Sequence, residues 1–186
     1  MNLEEKLRSY LSERRLTHSR GTMEAAVRLA EYYGSDIEKA RLAGLLHDVA
    51  RDMELSRLER VLGRGIEGIS VPFRTVSLLH APAGSMVARS DFGVEEPDVL
   101  RSIEVHTTGH PSMTLLNKII FVADFIEPGR SFRGVQTARR LAFRNLDRTV
   151  AYILGFTLRS LLMRNLPILE VTCRAYNAYS VRANNE

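Results

Sequence analysis

The chain has 186 residues, 45% hydrophobic and 26% charged, with 26 Lys and Arg against 22 Asp and Glu for a formal charge of +4. This is the composition of a globular domain with enough apolar material for a sizeable core, and it excludes the disordered, collagenous and membrane-spanning classes. Of the basic residues 23 are Arg and 3 are Lys, which suits phosphate contacts and equally reflects G+C-rich coding; without a basic run it argues against a nucleic-acid surface.

Met1 to Tyr10 mixes Glu4, Glu5, Lys6 and Arg8 with isolated leucines, a pattern unlike a signal peptide. Residues 3–16 read as an Arg- and Glu-rich amphipathic stretch, after which Thr17 is expected to cap a helix from His18 to Tyr33, ended by Gly34. Ser35 and Glu38 form a capping-box pattern that opens a helix running to about Arg51. A short helix over 54–62, a Gly-rich turn over 63–68 and a helix over 73–81 stopped by Pro82 follow. The next helix runs from Pro97-Asp98 to about Thr107, and Gly109-His110-Pro111 breaks it, leaving His110 in a loop. An apolar-periodic helix over 113–126, the loop Glu127-Pro128-Gly129-Arg130, and helices over 135–144, 146–164 and 167–180 complete the chain. No period-2 strand or internal repeat is visible, so the expectation is one all-α domain over 1–186, a helical bundle with its core in about 15–180. The single thiol, Cys173, allows no internal disulfide. A cytoplasmic address without membrane attachment is expected.

The chemistry concentrates in six side chains. His47-Asp48 ends the apolar run Ala43 to Leu46, and Asp124 interrupts the run Ile119 to Ile126. An anion there needs a cationic partner, an Arg or a metal. His18, His80 and His106 project from apolar stripes at helical spacing. Each has an ordinary reading: His47 as a helix C-terminal cap with Asp48 solvated, the other histidines as satisfied core residues. Six independent ordinary readings, spread over five helices, are harder to sustain than one shared metal.

The order His18, His47-Asp48, His80, His106, Asp124 resembles the HD-domain metal-dependent phosphohydrolase superfamily. Ala43-Gly44-Leu45-Leu46-His47-Asp48, Leu79-His80-Ala81-Pro82, Glu104-Val105-His106-Thr107-Thr108-Gly109 and Ala123-Asp124-Phe125-Ile126-Glu127-Pro128-Gly129-Arg130 are similar to the YqeK-type symmetrical bis(5′-nucleosyl)-tetraphosphatases, over roughly residues 15–180. Many two-metal relatives carry a second histidine after the one aligned with His106; here Thr107 stands there, leaving room for water or a substrate oxygen.

The resemblance implies a hydrolase that cleaves diadenosine tetraphosphate symmetrically to two ADP through a metal-activated water. It implies His18, His47, Asp48 and Asp124 on one ion, with Asp48 bridging to a second ion held by His80 and His106. Imidazole and carboxylate donors suit iron, which the resemblance favours, or manganese. Asp48 and Arg51 are the expected catalytic residues; Arg51, Arg130 and Arg133 are expected on phosphates, with hydroxyls from Thr107 and Thr108. As a solvated alternative, the three Arg side chains are surface ion-pair partners. Rival readings are another HD-type nucleotidase or phosphodiesterase, or a nucleotide-binding sensor without turnover. The apolar C-terminal helices leave room for a homodimer.

Overall fold

The computed structural model describes residues 3–63 and 73–184, and among them it contains ten helices and no strand. They are α1 (Leu3–Leu7), α2 (Glu13–Tyr33), α3 (Ile37–Leu46), α4 (Leu55–Leu62), α5 (Val76–Phe92), α6 (Pro97–Val105), α7 (Leu115–Ile126), α8 (Val135–Ala142), α9 (Leu146–Met163) and α10 (Glu170–Asn184). None is long and apolar enough to cross a membrane. The expected Gly-rich turn lies, beyond Gly63, outside the described residues.

Three helices differ most from the sequence expectation. α2 starts at Glu13, a turn before Thr17, whose Oγ1 donates back to the Glu13 carbonyl at 2.9 Å. Ser12 is the N-cap, and its N–H and hydroxyl both donate to Asp52, at 2.9 and 2.8 Å. The partner lies 40 residues away, so no local pattern announces this start. Asp36 rather than Ser35 caps α3, accepting from the Lys39 N–H at 2.9 Å. α3 also ends at Leu46, short of Arg51. Beyond it the chain tightens into i to i+3 turns, with Val49 N–H on Leu46, Arg51 on Asp48 and Met53 on Ala50.

The third difference is that Pro82 does not stop a helix but sits inside α5. Proline removes one backbone donor and crowds the preceding turn. Here the helix continues because Leu79, Ala83, Gly84, Val87 and Ala88 on either side of it are buried in the core. Tertiary burial of that face outweighs the local cost. His80 is therefore held within a helix rather than at its frayed end.

The buried apolar side chains form one cluster reaching from Leu7 to Tyr179. α2 packs on α3 and α7, α6 on α3, α5 and α7, and α9 bridges α7, α8 and α10. Gly44 allows a close crossing: a Cβ there would lie 2.8 Å from the Met23 Cα, so any side chain would push α3 off α2. That close approach sets the two residues after Leu46 directly against α2.

Candidate metal centre

α2, the turn after α3, α5, the C-terminal end of α6, and α7 point His18, His47-Asp48, His80, His106 and Asp124 at one another. The imidazoles form an edge-to-face chain, with centroids 5.1 Å apart for His18 and His47, 4.9 Å for His47 and His106, and 5.1 Å for His106 and His80. Asp48 lies between the two ends. Its Oδ2 is 3.7 Å from His18 Nε2 and 3.8 Å from His47 Nε2, while its Oδ1 is 3.1 Å from His80 Nε2 and 3.6 Å from His106 Nε2. Asp124 Oδ1 joins the first set, 3.0 Å from His18 and 3.8 Å from His47. Two groups within this cluster have metal-holding spacing: His18, His47 and Asp124, and His47, Asp48 and His106.

The outer ring nitrogens decide what the cluster needs. Nδ1 of His47 donates to the Gly44 carbonyl at 2.8 Å, that of His80 to Val76 at 2.9 Å, and that of His106 to Ile103 at 2.7 Å. A carbonyl can only accept, so each Nδ1 carries the proton, and each ring turns its Nε2 inward. His18 Nδ1 faces Glu127 Oε1 at 3.2 Å. Inward, His18 and His47 Nε2 are 3.2 Å apart, as are His80 and His106 Nε2. Ring nitrogens and carboxylate oxygens this close could hold a cation between them, and outer acceptors of this kind orient metal-binding imidazoles. The donor set fits a metal.

Burial and charge agree with that reading. Burial pushes the His47 pKa down to about 4 and also lowers that of His80, so both rings are neutral at neutral pH. Burial works the same way on His18 and His106, but the carboxylates of Asp124 and Asp48 overcome it and raise these two. For Asp48 burial acts upward, yet His47, His106 and His80 hold its carboxyl well below the usual range. Asp124 is likewise held down, against burial, by His18, His47 and Arg130. Both carboxylates are ionised.

A cavity of about 340 Å³ opens onto the cluster, lined by Asp48, His80, His106 and Asp124 and by four guanidinium groups, those of Arg14, Arg15, Arg51 and Arg130. Among the described residues Arg51 makes one long hydrogen bond, 3.5 Å to Ser77, and no ion pair. Arg130 meets Asp124 at 2.7 Å, so an Arg does face this anion, as one reading of the lone carboxylate expected. Thr107 Oγ1 lies 3.2 Å from both His80 and His106 Nε2 and lines the same cavity. Thr108 turns away, donating to the Gly109 carbonyl and lining another cleft. Arg133 lines a separate cavity beside this one, and His110 is in the expected loop.

Sequence reasoning missed Glu127, Arg14, Arg15 and Arg139. The buried Glu127 accepts from the Gly129 N–H at 2.6 Å as well as facing His18. A Cβ on Gly21 would come within 2.6 Å of its Oε2, so only glycine leaves that carboxylate its place. Arg139 donates to the carbonyls of Ile126, Glu127 and Arg130 at 2.9, 2.7 and 3.0 Å, clamping the turn that carries Glu127. Arg14 and Arg15 lie four and three residues before His18 on one helix, a spacing that could have placed them on its face. Nothing local marks Arg139, because its partners are backbone atoms of another segment.

Residues 15–129 match the HD domain family. The chain is 40% identical over 171 residues to the symmetrical bis(5′-nucleosyl)-tetraphosphatase of Halalkalibacterium halodurans, spanning 92% of this chain and 91% of that protein. It is 36% identical to the Bacillus subtilis protein of the same name, over 95% and 97% of the two chains. In three dimensions it is similar to a predicted HD superfamily hydrolase involved in NAD metabolism from Clostridium acetobutylicum. The TM-score is 0.91 at 37% identity, with 96% and 95% of the chains covered.

Proposed function

Because the chain belongs to the HD domain family, with relatives named symmetrical bis(5′-nucleosyl)-tetraphosphatase, we propose that it hydrolyses diadenosine tetraphosphate to two ADP. The observation that carries the reading is the cluster itself. Four imidazoles with their outer nitrogens committed turn inward on two ionised carboxylates, under a cavity lined by four guanidinium groups. Such a site matches a metal below and a polyphosphate above.

We assign His18, His47, Asp48, His80, His106 and Asp124 as the metal-holding set, with Asp48 shared between its two ends. Iron is our choice of metal and manganese the nearest substitute, since mixed nitrogen and oxygen donors suit both. When bound, the metal lowers the pKa of a water and stabilises charge on the attacked phosphoryl group. Arg51 and Arg130 bind phosphate oxygens, and the Thr107 hydroxyl positions a water or phosphate oxygen above His80 and His106. Arg15, 3.4 Å from Asp48 Oδ2, adds a cation at the rim. The leaving group is ADP, whose terminal phosphate oxygen is a weak base, so no strong general acid is required. The protein acts in the cytoplasm, on a free nucleotide, with no nucleic acid or membrane partner.

The products test this directly. The water oxygen bonds to the second phosphorus from one nucleoside, the bond from that phosphorus to the bridging oxygen breaks, and the other ADP departs with that oxygen. Hydrolysis in heavy-oxygen water is expected to place one label in one of the two ADP molecules, at its terminal phosphate. AMP and ATP as products would show cleavage between the first and second phosphorus and overturn the reading.

Glu127→Ala removes the acceptor that orients His18, and a lost outer partner of this kind weakens metal affinity roughly 10- to 100-fold. Calorimetric titration of metal into the variant, with melting measured alongside, checks this; unchanged affinity would remove Glu127 from the site.

A further inference from the structure

A second cavity, of about 980 Å³, lies beside the metal centre, between residues 132–134, α9 and α10. Its walls are aromatic, from Phe132, Tyr152, Phe156 and Tyr176, with the exposed Arg133 and Arg159 at its edge. Neither Arg is engaged in an ion pair among the described residues.

The two cavities share a wall. Phe125 lines the metal-facing side and packs edge-on against Phe132 at 4.8 Å and Phe156 at 5.5 Å. α9 turns Ile153 and Thr157 toward the metal side and Tyr152 and Phe156 toward the other. The backbone from Arg130 to Gly134 passes from one cavity to the next. A third cleft, of about 680 Å³, also adjoins the centre through Arg14, Arg15 and Arg130, but apart from His18 it has no aromatic ring in its lining.

A substrate cut at its middle carries a nucleoside on each side of the reacting phosphorus, so the site needs a seat for each. Resting on the dinucleoside tetraphosphate reading, we infer that the aromatic cavity between residues 132–134, α9 and α10 seats one of the two nucleosides. Its base stacks on the Phe156, Tyr152 and Tyr176 walls, and Arg133 and Arg159 take phosphate oxygens of the same half. Aromatic faces bind any base by stacking, and guanidinium groups match phosphate geometry. The charged third cleft lacks the first of these features.

The test uses the metal-loaded protein and two variants, Tyr176→Ala, which removes one wall, and Ala151→Trp, which fills the cavity. Two quantities are compared: KM for diadenosine tetraphosphate, and the inhibition constant of inorganic tetraphosphate, which has the phosphates but no base. Both variants are expected to raise KM roughly 5- to 100-fold, the range of losing one stacked base. The inhibition constant stays within about twofold, since phosphate contacts alone are untouched. An unchanged KM, or parallel loss for the two ligands, overturns the nucleoside seat. Failure of the unaltered protein to hydrolyse the dinucleotide would instead overturn the underlying functional reading, and it is seen before any variant is made.

Discussion

Asp48→Ala is expected to abolish hydrolysis and to strip the protein of most of its metal. One oxygen of this carboxylate faces His18 and His47 and the other faces His80 and His106, so its loss opens both ends of the cluster at once. A metal contributes several kcal/mol of transition-state stabilisation, so activity should fall by about 10³-fold or more. Arg51→Ala is the contrast. Among the described residues its only side-chain hydrogen bond is to Ser77, and its removal should leave metal content unchanged. One charged hydrogen bond to phosphate is lost, worth about 1.5–3 kcal/mol, so kcat/KM should drop roughly 10- to 100-fold. Metal analysis by mass spectrometry together with steady-state kinetics separates the two cases. Full metal content in the Asp48 variant would refute its shared position.

Removing the metal should destabilise the fold. Asp48 is a buried anion, Asp124 is a half-buried one that meets Arg130, and His47 and His80 are neutral rings beside them. A metal held among these groups only in the folded chain stabilises the fold by mass action. At free metal 100 to 1,000 times the dissociation constant the gain is about 2.7 to 4.1 kcal/mol. For a chain of this size that corresponds to a fall in Tm on the order of 5–15 °C after chelation. Calorimetry before and after chelation, with metal content measured on the same sample, gives the result. An unchanged Tm in demonstrably metal-free protein would contradict the site.

The legible part of this protein was whatever local chemistry specifies. Helical periodicity and Gly34 marked α2 and its end, and the apolar run around Asp124 marked α7 and the anion on it. The six candidate ligands could be named because each interrupts an apolar stripe, where a polar group needs a partner. Three-dimensional packing set what depended on distant atoms. Ser12 begins α2 because Asp52 receives both of its donors, and α5 continues through Pro82 because its flanking face is buried. Glu127 and Arg139 entered the site through contacts with His18, 109 residues away, and with backbone carbonyls of another segment. Thr107 and Thr108 are neighbours in sequence, yet they line different cavities because α6 ends at Val105. Periodicity and capping act over one or two turns of helix, whereas closing a cluster from five elements depends on the crossing of helices, which a glycine as small as Gly44 permits.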